Sequence, residues 1–172
     1  MSVTAAVDPP EHAVDVAAYR RVVGHFVSGV TVVTTLVGRT DHAMTASAFT
    51  SLSLEPLLVL VCVDKEARFH DAVIESGSWG VSILSVDHRR SAEWFAMKGR
   101  PLIGQMDRHP YHRGATGAAL LDGAVAWLEC RTDAIYDGGD HAIVVGAVLS
   151  ALEGDRDGQP LVYHRGRYGR LA

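Results

Sequence analysis

The chain has little cysteine, no excess of positive charge and no long apolar run, and each shortage removes a class of protein. Cys62 and Cys130 stand far apart in apolar surroundings, with no second Cys at metal-ligand or redox spacing. They read as buried thiols, with a disulfide or a reactive thiol as the alternative. Sixteen Lys and Arg against 20 Asp and Glu leave a net charge of −4, so no global field draws the protein to nucleic acid or anionic lipid, although a local basic pocket stays open. The longest apolar run, Leu57 to Val63, has strand length, well short of the roughly 18 residues of a membrane span. Met1 to Asp15 contains acids, Pro9-Pro10 and no Lys or Arg, unlike a secretory leader. The expectation is a cytoplasmic protein, with no membrane or nucleic-acid partner and a flexible tail over residues 1–15. Gly-x-Gly-x-x-Gly between a strand and a helix is absent, as is a loop ending in Gly-Lys-Ser or Gly-Lys-Thr; any nucleotide is held another way.

What is present supports one folded domain over residues 16–172. The 172 residues are 48% hydrophobic and 21% charged, a balance that offsets chain entropy by burial. Val16, Tyr19, Val22, Val23 and Phe26 recur at helical spacing after Asp15, a candidate N-cap. Gly29 to Val37 is nearly all β-branched, Gly38 to Asp41 supplies a turn, and His42 to Phe49 continues extended. Leu57 to Val63 reads as a strand covered on both faces. A short helix over Ala67 to Glu75, a strand over Trp79 to Leu84 and a helix over Asp87 to Lys98, capped by Asp87, follow. Residues 99–118 form a long Gly- and Pro-rich loop, of the kind that serves function or an interface. Ala124 to Tyr136 and Ala142 to Leu149 flank Asp137-Gly138-Gly139-Asp140, and Leu161 to Tyr163 closes the series. Strands and hairpin turns predominate, which favours an antiparallel barrel with rim helices over a doubly wound parallel sheet.

Two places concentrate residues suited to chemistry. From Met44 to Pro56, hydroxyl and small residues are denser than a strand interior needs. Small side chains let a flat ligand approach the backbone, and hydroxyls and peptide N–H groups can bond a nucleotide's ring edge, ribityl chain or phosphate. A Ser/Thr-rich strand ending in a turn is the alternative. His141, one of nine histidines, follows Gly138-Gly139-Asp140 and is either a structural imidazole or a ligand-positioning one. His109-x-x-His112 has no nearby Cys or carboxylate to complete a ligand set, so no metal is expected. Trp79, Trp94 and Trp127 read as core or interface anchors. No Ser-His-Asp order or paired-carboxylate arrangement is discernible.

The run Thr45-Ala-Ser-Ala-Phe-Thr-Ser-Leu-Ser-Leu-Glu-Pro56, followed by Cys62-Val63-Asp64-Lys65, resembles the flavin-binding signature of the short-chain flavin reductases, the reductase components of two-component flavin-dependent monooxygenases. Phe26 to Thr34, Trp79 to Ser85, Asp122 to Cys130, Gly138 to Gly146 and the ending Pro160 to Tyr168 fall in the same order as in that family, so the resemblance covers residues 16–170. It implies a mainly β protein with short helices, an FMN-binding, Greek-key-like split β-barrel working as a homodimer. It also implies an NAD(P)H-dependent flavin reductase that binds FMN or FAD non-covalently, takes hydride from NADH or NADPH, and passes free reduced flavin to a partner monooxygenase. Carried over by residue, Thr45, Ala46, Ser47 and Ala48 would run along the isoalloxazine edge and ribityl chain. Ser51 and Ser53 would lie nearer the phosphate, beside Asp64 and the positive charge of Lys65. Ser82 stands where many relatives have Asn in contact with the flavin ring. Gly138-Gly-Asp-His141 resembles the Gly-Asp-His motif that holds the nicotinamide, with His141 as the catalytic positioning group and Asp140 orienting its ring. Tyr168, with Arg165 and Arg167, would belong to the same pocket. Hydride transfer between two cofactors needs alignment rather than a protein nucleophile, in keeping with the missing triad. A non-catalytic flavin or haem binder on the same fold is the alternative function, and a purely structural dimeric barrel the blandest. FMN against FAD, NADH against NADPH, and flavin as prosthetic group or as substrate stay open.

Overall fold

A computed structural model describes residues 14–154 and 157–171; residues 1–13, most of the expected tail, lie outside the described residues. Helix α1 (Val16–Val23) starts where the Asp15 carboxylate accepts the Ala18 N–H at 3.1 Å, filling one of the first turn's orphan donors. It ends at Gly24, short of Phe26, and none of its residues is buried. Strands β1 (Ser28–Gly29), β2 (Thr31–Val37), β3 (Thr40–Ala46), β4 (Phe49–Leu54) and β5 (Leu57–Asp64) follow, then α2 (Arg68–Ser76) and β6 (Ser78–Ile83). Helix α3 (Arg89–Ala96) precedes the short hairpin β7 (Tyr111–Arg113) and β8 (Ala119–Leu121), the long pair β9 (Ala126–Gly138) and β10 (His141–Glu153), and the final hairpin β11 (Leu161–His164) and β12 (Arg167–Arg170). The mainly β architecture with three short α-helices agrees with the sequence pattern. No helix among the described residues is long and apolar enough to cross a membrane.

Seven strands form one antiparallel sheet in the order β3-β2-β6-β9-β10-β5-β4, with β1-β11-β12 and β7-β8 as separate small sheets. The end strands β3 and β4 do not pair with each other, so the sheet is not closed by hydrogen bonds. Yet these strands are consecutive, joined through Ser47 and Ala48 alone. A chain rises at most about 3.6 Å per residue, so the sheet must curl until its two edges come within reach of that short link.

The strand covered on both faces is β2, not β5. Thr31 to Thr35 are all buried. Val33 packs in a core with Val61, Trp79, Cys130 and Val144, while Val32 packs in a second core with Leu84, Phe95, Leu121 and Leu161. In β5 burial alternates instead: Val59, Val61 and Val63 face the core, and Leu58, Leu60 and Cys62 stay partly exposed. Asp87 is not a helix cap. It lies in a 3-10 turn over Val86–His88, and α3 begins at Arg89 with His88 at the N-cap position and no side-chain cap, the turn being held by a Ser85 Oγ to His88 Nδ1 hydrogen bond of 2.8 Å. The 99–118 loop contains β7 and leads into β8, a hairpin whose strands are too short for a periodicity signal.

Two features hold the sheet's centre. Gly146 in β10 sits at a register shift, and a Cβ there would stand 2.5 Å from Trp79 Cζ2 and 2.8 Å from Cys130 Cβ, so only glycine lets the strands approach. Burial pushes the Cys130 thiol up to about 12, with Glu129 adding to it, which leaves the thiol protonated and inert.

Candidate functional site

The curl of the sheet leaves a cavity of about 620 Å³ where β3 passes into β4. One wall is the continuous run His42 to Ala48; the others are Cys62 and Asp64 at the end of β5, Glu66 to Phe69 at the start of α2, Phe95 and Ala96 at the end of α3 with residues of the 97–105 segment after it, and His141 at the start of β10. The small residues Ala46, Ser47 and Ala48 leave backbone accessible along this wall. Thr45 is held by its hydroxyl, which donates to the Ala92 carbonyl at 2.7 Å and ties β3 to α3.

His141 reaches the cavity through strand register. It pairs across the sheet with Asp64 and across the β9–β10 turn with Gly138. Gly139, at φ 82°, takes the left-handed position that this two-residue turn requires. Asp140 Oδ1 lies 2.8 Å from His141 Nδ1, and this hydrogen bond with the adjacent imidazole holds the Asp140 carboxyl below its usual range. An ionised carboxylate only accepts, so Nδ1 carries the proton and Nε2 is left for a ligand. The Asp64 carboxyl is also lowered, chiefly by the Glu66 N–H at 2.8 Å, with help from Lys98 at 3.4 Å and from His141.

The site's positive charge comes from residues that sequence reasoning did not single out. Arg68, Lys98 and Arg100 all line the cavity. Arg100 donates to the carbonyls of Ala43 and Met97 and to Gln105 Oε1, strapping the loop after α3 onto edge strand β3; burial, reinforced by Arg68, lowers its guanidinium from the ordinary value. Helix α2 opens at Ala67 with no side-chain cap, so its first N–H groups lie at the wall without a side-chain partner, a setting suited to an anion. His42 also lines the cavity; its Nδ1 is buried with no hydrogen-bond partner, and its pKa is lowered, first by burial and then by Arg68. The signal available in advance was the length and composition of the loop opened by Lys98-Gly99-Arg100.

Of the residues expected at the site, Thr45, Ala46, Ser47, Ala48, Asp64 and His141 come together at this cavity. Tyr168 bounds a smaller neighbouring hollow of about 170 Å³ with Val30 and Tyr163, which shares Thr45, Ser47 and Ala96 with the larger one. Four are placed elsewhere. Ser51 and Ser53 lie on edge strand β4, where the Ser53 hydroxyl accepts the Glu55 N–H at 3.2 Å. Ser82 is fully buried, its hydroxyl accepting the Leu121 N–H at 2.9 Å. Lys65 turns to the β9–β10 hairpin, donating to Asp137 and to the Gly139 carbonyl. Arg165 holds the β11–β12 turn against α1, its N–H donating to the Gly24 carbonyl at 2.8 Å, and Arg167 is exposed. His109 stacks on Trp94 and packs against Phe95, while His112 meets Asp122 at 2.7 Å. Trp79 is core; Trp94 and Trp127 donate to the Gln105 and Leu121 carbonyls.

Known proteins resemble this chain in sequence and in fold. The family described as "Flavin reductase like domain" matches residues 23–172. The chain is 41% identical over 170 residues to the NADH-dependent FAD reductase of Streptomyces globisporus, covering 95% of this chain and 92% of that protein. It is 40% identical over 154 residues to the reductase component of 4-hydroxyphenylacetate 3-monooxygenase from Thermus thermophilus, covering 90% and 95%. Among solved structures, the flavin reductase component of a bacterial two-component tryptophan halogenase matches with a TM-score of 0.86 and 46% identity, over 91% of this chain and 98% of that one. With a cavity walled by the Thr45–Ala48 run and His141, and with family agreement over nearly its whole length, this chain belongs to the flavin reductase like domain family.

Proposed function

We propose that the protein is an NADH-dependent flavin reductase that binds FMN or FAD without a covalent link and releases the reduced flavin to a separate oxygen-using enzyme. The observation that carries this reading is the meeting, at one cavity, of the Thr45–Ala48 wall with His141 of the Gly-Asp-His turn. The residues fit a flavin nucleotide: the cavity's size suits one, the uncapped start of α2 with Arg68 and Lys98 suits its phosphate, and the unpartnered His42 Nδ1 awaits a polar atom.

A bound flavin supplies the chemistry by accepting hydride from the nicotinamide. The chain's residues do the rest. Thr45, Ala46, Ser47 and Ala48 present backbone and hydroxyl groups along the ring and ribityl chain. Arg68, Lys98 and the first N–H groups of α2 hold the phosphate end. His141, kept in one tautomer by Asp140, orients the nicotinamide through Nε2, and Tyr168 extends that pocket from its adjoining hollow. None of these groups must give up or take a proton for hydride to pass, and alignment within reacting distance is their contribution.

The fold completes itself as a split barrel in a homodimer. The curl between β3 and β4 supports the barrel. The dimer is supported by exposed apolar surface: α1 shows Val16, Tyr19, Val22 and Val23 uncovered, and Leu54 and Leu57 stand 82% and 55% exposed at the β4–β5 turn. In the cytoplasm, the two free cysteines would stay reduced.

The test is NADH consumption, followed by its near-ultraviolet absorbance, with FMN or FAD added to purified protein. Flavin-dependent loss of NADH is expected, with a dimer by light scattering. No loss with NADH or NADPH would overturn the reductase reading, and yellow protein without turnover would mark a binder instead. His141→Ala should raise the KM for NADH more than it weakens flavin binding; equal loss of both would refute the role given to His141.

A further inference from the structure

We propose that Lys65 is a positioning residue that sets the nicotinamide-facing turn, rather than a ligand of the flavin phosphate. The inference rests on the reading of His141 given above. Lys65 follows β5 directly, at the point where Asp64 pairs with His141. Its backbone N–H donates to the Asp140 carbonyl at 3.1 Å, and its ammonium donates to the Gly139 carbonyl at 2.6 Å and to the Asp137 carboxylate. Three contacts from one residue therefore hold three of the positions that lead into His141.

The turn needs this support. Gly138 and Gly139 lack side chains, Gly139 occupies the left-handed region, and Asp140 is 93% exposed at its side chain. The Asp140 carboxylate can fix the His141 tautomer only if the two-residue turn keeps its own conformation. Lys65 provides an anchor from outside the hairpin, directly after β5, the strand that pairs with β10. Its charge is already engaged by Asp137, whose carboxyl is lowered mainly by that hydrogen bond. Lys65 is not among the residues lining the cavity, and the cations that do line it, Arg68, Lys98 and Arg100, suffice for an anionic group.

Lys65→Met and Asp137→Asn distinguish the two roles. An exposed ion pair sets a modest scale, so each variant should raise the KM for NADH about three- to ten-fold with kcat little changed. The double variant should be no worse than the more affected single one, Lys65→Arg should restore most of the loss, and flavin affinity measured by fluorescence quenching should not move. A flavin affinity weakened by Lys65→Met and untouched by Asp137→Asn would overturn the proposal and return Lys65 to the phosphate. The NMR signals of the His141 ring, recorded without any nucleotide, separate this inference from the one beneath it. Both variants should shift them; unchanged signals would refute the positioning role. Shifted signals with an unchanged KM for NADH would uphold the coupling of Lys65 to His141 and instead remove His141 from the nicotinamide site.

Discussion

Arg100→Met removes the clamp on the cavity beside β3 while keeping a side chain of similar reach. The guanidinium joins the Ala43 carbonyl, the Met97 carbonyl at 3.0 Å and Gln105 Oε1 at 3.1 Å, and lies 5.6 Å from the centre of the Phe95 ring. Water can replace the bond at Met97, which is 53% exposed. Ala43 is only 3% exposed, and a buried acceptor left unmet costs about 1–3 kcal/mol, with about 1 kcal/mol net for an ordinary bond lost. The sum is about 2–4 kcal/mol, and for a domain of this size each kcal/mol lowers Tm by about 2–4 °C, so a fall of roughly 5–15 °C is expected. Because Ala43 lies on the strand that delivers Thr45, flavin affinity should fall with it. Lys in place of Arg keeps the charge but offers a point donor instead of a planar fork, and should recover less than half of the loss. Thermal melts with and without FMN, together with fluorescence titration of flavin, measure both effects. A Tm within about 1 °C of the parent and an unchanged flavin affinity would refute the view that Arg100 straps the loop to β3.

Three further substitutions test separate parts of the structure. Gly146→Ala drives a methyl into Trp79 and Cys130, both fully buried, and should lower stability by about 1–3 kcal/mol or more in urea unfolding with an unchanged slope. Ser82→Ala strips the Leu121 N–H of its acceptor and should cost about 1–3 kcal/mol of stability without altering flavin affinity, whereas a selective loss of flavin would restore Ser82 to the site. Burial alone would raise the Glu129 carboxyl, but the N–H groups of Thr116 and Ala115 and the Thr116 hydroxyl outweigh it and hold the group below its ordinary value of 4.5. The stability this confers is present above 4.5 and is lost as pH falls through the lower folded value. Glu129→Gln should therefore be less stable than the parent at neutral pH, and urea unfolding across an acid series should find the gap closing below pH 4.5.

Local chemistry determined a good deal by itself. The β-branched run Thr31 to Val37, the Asp15 cap, the turn at Gly139 and the alternation of hairpins were legible because each depends on neighbours within a few residues. The Thr45–Ala48 wall and His141 were legible because a motif keeps its residues together in sequence. Other features required the folded chain. That β2 rather than β5 is covered on both faces depends on which elements pack over it, and an apolar run reads the same whether its second face is buried or left open. Ser82 and Lys65 carry the polar groups a nucleotide site uses, but tertiary register points one at Leu121 and the other at the β9–β10 turn. The cavity's cations were invisible in the motif because Arg100 meets Ala43 across 57 residues of sequence. Sequence pattern therefore determined the strands and the short-range turns. The closing curl decided which distant charges reach the cavity, since a side chain's partner is set by where the backbone returns and not by its place along the chain.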